Sequence, residues 1–125
     1  MAVWLLRISS LLFVGVGVAY LVVPSLALGI VGVSSVATND FLLRTEGVAL
    51  LCAGGIIWAT QGLAARGLRI VLFSLAIYYL LGSAVDLIAF MQGIVGPLSV
   101  PSAAARILLG VGCLVEVFRV VQVRD

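Results

Sequence analysis

Four long apolar runs, separated by short polar clusters, organise this sequence. They cover approximately residues 3–23, 41–61, 68–91 and 102–121, each close to the roughly 20 residues a helix needs to cross about 30 Å of hydrocarbon. None shows the sustained two-residue alternation of a strand, and lipid offers no partners to an open strand edge. The pattern predicts an all-α polytopic integral membrane protein. Its four transmembrane helices form one compact bundle, a single domain over residues 1–125.

The first run has an alternative reading. Arg7 precedes a long apolar stretch and "SLALG" follows it, which is also the outline of a cleavable signal peptide. Pro24 and the apolar length favour a retained span.

Composition strengthens the membrane assignment, since 64% of the 125 residues are hydrophobic and only 10% are charged. A chain this small has too few polar groups to cover a water-facing surface. Cys52 and Cys113 both lie inside apolar runs and read as small packing residues, not a disulfide framework.

The net charge of +2 comes from seven arginines and five acids, with no basic patch suited to a phosphate backbone, so nucleic acid is not an expected partner. The arginines do give direction. Arg7, Arg66, Arg69, Arg119 and Arg124 flank one side of the predicted spans, against Arg44 and Arg106 near the other, which places both termini in the cytoplasm. Trp4, Trp58 and Tyr20 stand near span ends as interfacial anchors.

On the predicted outer side, "VPSLALGIVGVSSVATND" is almost uncharged until Asp40. It reads as a greasy linker over the bundle, or as a short interfacial helix, with Asn39 and Asp40 as caps for the second span. "MQGIVGPLSVPSAAAR" holds two glycines and two prolines and reads as a turn, with Ser99 or Ser102 capping the fourth helix and Pro101 in its opening turn. Small residues predict close helix packing: Gly47, Leu51 and Gly55 share one face, and Ala49 and Ala53 another.

Ionisable groups inside the spans are the candidate site. Counting about 1.5 Å per residue puts Asp86 roughly 7 Å, and Arg106 about 6 Å, inside the outer boundary, as level neighbours on the third and fourth spans. Arg44 and Glu46 enter the second span from the same side, so Asp86, Arg106, Arg44 and Glu46 form a candidate buried charge network. An isolated carboxylate in hydrocarbon is costly, and an arginine fork relieves it. The expected role is an ion pair that fixes helix order; a polar ligand or translocation site, or pairing across a subunit boundary, are the alternatives.

Spacing brings out two further sets. Tyr78 and Tyr79, with Ser74 and Gly82 four residues to either side of Tyr78, border a possible cleft, and Tyr79 and Ser83 lead from it toward Asp86. Glu116 and Arg119 share one helical face as a local pair.

The sequence contains no histidine and its two cysteines are far apart, so no metal motif, nucleotide loop or catalytic triad can be drawn. No catalytic residue is expected, and no cofactor beyond a bound lipid or quinone.

"YLVVPSLALGIVG", "FLLRTEGVALLCAGGI" and the acid-containing third span before a proline-bearing turn resemble the small four-helix bacterial membrane proteins of the DoxX-like and related families. Arg44 and Gly47 match the arginine and small-residue opening of the second helix in that group; the histidines of some relatives are missing. The resemblance implies a compact subunit of the bacterial inner membrane, in some members linked with oxidoreductase or redox-maintenance complexes.

Three functions remain open. The expectation is a noncatalytic subunit or accessory protein that packs with a larger membrane complex or with copies of itself. The alternatives are a small oligomeric carrier or channel for a polar or amphipathic solute, and a quinone- or lipid-binding redox module.

Overall fold

A computed structural model describes residues 2–34 and 37–122. Among them the order is α1 (Ala2–Val22), α2 (Pro24–Ile30), α3 (Ala37–Ala59), α4 (Ala65–Met91) and α5 (Ser99–Gln122), with a single 3-10 turn at Thr60–Gly62 and no strand. Three stretches are long and apolar enough to cross a membrane by length and composition: Ala2–Val22, Asn39–Gly62 and Ala65–Met91. The chain is therefore compatible with a multi-pass membrane protein. α5 has comparable length, 24 residues, but carries Arg106, Glu116 and Arg119 and falls outside that set. The helices begin earlier than the second, third and fourth apolar runs, because a helix continues past hydrocarbon for as long as its backbone can bond internally.

The four long helices assemble as two antiparallel pairs, α1 with α3 and α4 with α5. Glycine makes the first pair possible. A Cβ on Gly17 would lie 2.8 Å from the Gly47 carbonyl oxygen, and one on Gly47 would lie 2.8 Å from that of Gly17, so the two backbones touch where neither residue has a side chain. One helical repeat further, Gly54 faces Val14, and the Ser10 hydroxyl donates to the Gly54 carbonyl at 2.7 Å. The seam thus runs through Gly47 and Gly54. Gly55, expected on the packed face, has open space around it, and Ala49 is exposed while Ala53 is half-buried. In the second pair Gly110 of α5 receives the Leu80 and Tyr79 side chains of α4.

Between the pairs the packing is by large side chains. Phe13 of α1 meets Tyr78 at a ring-centroid distance of 4.9 Å and Tyr79 edge-on at 6.1 Å, contacts worth about 0.5–1.5 kcal/mol each beyond their area. Leu6, Leu72, Leu75, Ala76 and Cys113 complete the core around them.

The ends of the bundle differ. At one, Arg7 donates from Nε to Gln61 Oε1 at 3.2 Å and lies over the Trp4 ring; by topology Arg66, Arg69 and Arg119 belong to this end. Arg124 lies outside the described residues. At the other end two connections meet. α2 begins at Pro24, where a missing amide is harmless, and ends in a turn through Gly32 at φ 77°; the Gly96 amide donates to the Val31 carbonyl at 2.6 Å. The linker after α1 is therefore a short helix, with Pro24 and Leu28 buried.

Several caps differ from expectation. α3 starts at Ala37, so Asn39 and Asp40 stand in its first turn, and Asn39 Nδ2 donates back to the Ser34 carbonyl. α5 starts at Ser99, which stands inside the helix, and its hydroxyl donates to the Gly96 carbonyl at 2.8 Å. Ser102 is exposed, one turn in.

Candidate functional site: a cleft between the helix pairs

Tight glycine seams within each pair and bulky aromatics between the pairs leave a cleft at the end where α2 and the α4–α5 connection lie. Its inner part has a volume of about 180 Å³ and is lined mainly by apolar groups, including Leu12, Phe13, Val16, Leu50 and Leu109. Its mouth, about 410 Å³, is lined by Glu46, Asp86, Arg106, Ser99 and Ser102 among others. Tyr20, Tyr78, Glu46, Ser102 and Arg106 border both parts, so the two half-open volumes adjoin across a shared wall, one with the more apolar lining and the other with the more polar one.

The ion pair defines the mouth. Arg106 Nη1 lies 3.3 Å from Asp86 Oδ2, with the two side chains 30% and 27% exposed. Asp86 sits on the last turns of α4 and Arg106 near the start of α5, and antiparallel packing makes them level. Gly82, one turn before Asp86, gives the guanidinium its room: a Cβ there would come within 2.9 Å of Arg106 Nη1.

The four residues read as a charge network are not all together. Glu46 borders the cleft beside the Asp86–Arg106 pair and makes no hydrogen bond or ion pair with a described residue. Arg44 is exposed and lies outside the lining, because two residues turn a helix by roughly 200°. Tyr78 lines both parts and Tyr79 the inner one. Ser83 does not; it is buried, with its hydroxyl donating to the Leu80 carbonyl at 2.8 Å. Ser74 points outward.

Tyr20 corrects a second expectation. Its ring lines the cleft and does not stand as an outward anchor, whereas Trp4 and Trp58 are exposed on the bundle surface. Spacing could have flagged Tyr20: it is seven residues from Phe13 and three from Gly17, on the α1 face that packs inward.

Glu116 and Arg119 form a separate pair at the opposite end, Nη1 to Oε1 3.2 Å, with the acid buried and the arginine exposed. The long arginine stem lets the charge reach the surface while neutralising the acid. No group of three or more metal-ligating side chains occurs among the described residues.

Compared with family models, curated proteins and solved structures, the chain matches none. The DoxX-like resemblance therefore rests on the quoted residues alone.

Proposed function

We propose that this chain is a noncatalytic integral membrane protein that holds an amphipathic molecule in the cleft between its helix pairs. All four long helices cross the bilayer in this reading, with both termini cytoplasmic and the cleft in the outer half of a bacterial inner membrane. α5 contributes roughly 36 Å of helix at 1.5 Å per residue, and its charges are paired with Asp86 and within its own last turns.

The observation that carries this reading is the adjacency of an apolar volume lined by Phe13 and Leu50 to a more polar one that holds the Asp86–Arg106 pair. An apolar wall accommodates a chain, and a few placed polar groups orient its head and supply the selectivity. Purification in mild detergent, followed by native mass measurement, tests it. One retained amphiphile per chain is expected, lost in Ser102→Trp, which fills the mouth. Equal lipid retention by both forms would remove the proposal.

A second reading, the accessory subunit, has its own support. Ala49, Cys52, Gly55 and Ala59 lie exposed on one face of α3 beside exposed Val48 and Ile56, an apolar surface of small and large residues against which another helix can pack. Crosslinking from Cys52 in native membranes, with identification of the captured chain, is its test. The two readings are compatible, since that face and the cleft are different surfaces.

A further inference from the structure

The charge around the cleft mouth is unbalanced. Three ionisable side chains of fixed sign line it among the described residues, Glu46, Asp86 and Arg106. Asp86 and Arg106 neutralise one another across 3.3 Å. Glu46 has no ion pair or hydrogen bond with a described residue, and Arg44, the nearest cation in sequence, is off the lining. With both acids ionised, the opening carries one uncompensated negative charge.

This bears on which amphiphile fits. An anionic head would meet two carboxylates, Glu46 exposed and Asp86 part-buried, and a single guanidinium that is already engaged. A neutral head would leave Glu46 as it is. A cationic head would bring the mouth to zero net charge, two negative against two positive. The rings of Tyr20 and Tyr78 border the same space, and aromatic faces attract amine and quaternary ammonium groups.

We infer that the cleft selects an amphiphile with a cationic amine head, Glu46 supplying the counter-charge and Tyr20 and Tyr78 the aromatic walls, while the tail lies along Phe13 and Leu50. Arg106 holds Asp86 and excludes a second cation. This inference rests on the amphiphile-binding reading above and adds the sign of the head group.

Binding of radiolabelled dodecyltrimethylammonium is measured on full-length protein in nanodiscs of digalactosyldiacylglycerol, an uncharged lipid without an amine, with empty discs subtracted. Dodecyl sulfate and dodecyl maltoside serve as the anionic and neutral probes of equal tail. The expected result is saturable binding of the ammonium, at least about tenfold tighter than the sulfate, weakened about tenfold by Glu46→Gln while maltoside binding is unchanged. Ser102→Trp, or Ala105→Trp if the first variant loses its helical spectrum, should abolish binding of every probe. Equal affinity for the three heads, preference for the sulfate, or ammonium binding indifferent to Glu46→Gln would overturn the cationic inference and leave the amphiphile reading standing. No saturable binding of any probe, or binding untouched by the tryptophan variants, would overturn both.

Discussion

Asp86 of α4 and Arg106 of α5 face each other at 3.3 Å across the seam of an antiparallel helix pair, at the mouth of the cleft. The pair is part-buried, so each partner depends on the other: removing one leaves a charge in surroundings that solvate it poorly.

A double-mutant cycle measures that dependence. Asp86→Asn and Arg106→Gln should each lower the folded fraction in lipid, and the double variant should recover part of the loss, with a coupling of about 0.5–3 kcal/mol. Strictly additive losses would mean that the contact contributes no net stability.

Two glycines with nearly equal clearances should respond differently to alanine. At Gly47 the new Cβ would meet the Gly17 backbone oxygen at 2.8 Å, and at Gly82 the mobile end of Arg106 at 2.9 Å. Gly47→Ala must push two helices apart and should cost about 1–3 kcal/mol. Gly82→Ala needs only a guanidinium shift and should cost less, while lengthening the contact with Asp86 and altering amphiphile binding. Thermal unfolding in matched detergent separates the two outcomes.

The cysteines should differ in access. Cys52 is exposed on α3 and Cys113 is fully buried in the core. Maleimide treatment of the detergent-solubilised fold should label Cys52 alone, with Cys113 reacting only after denaturation. In native membranes, protection of Cys52 that is lost on detergent extraction would indicate a helix packed on that face.

Orientation is testable through the arginines of the Arg7 end. Reporter fusions at both termini should read as cytoplasmic. Replacing Arg66 and Arg69 together by glutamate removes positive charge from the first turns of α4 and should produce mixed orientations, visible as partial accessibility of engineered cysteines from either side.

Helices were legible because runs such as 3–23 and 68–91 are long and apolar and show no two-residue alternation, which leaves a helix as the structure that satisfies their backbone. Counting depth along those helices also sufficed to set Asp86 level with Arg106, since rise per residue is fixed.

Rotation about each axis was decided only by the tertiary structure. The α1–α3 seam uses Gly54 and not Gly55, one residue and roughly 100° apart; the cleft takes Glu46 and leaves Arg44 outside, and turns Tyr20 inward. In a water-soluble helix, the contrast between polar and apolar faces would announce such choices. These helices are apolar on nearly every side, so the pattern fixes position along each axis while close backbone contact and side-chain fit between neighbours select the face.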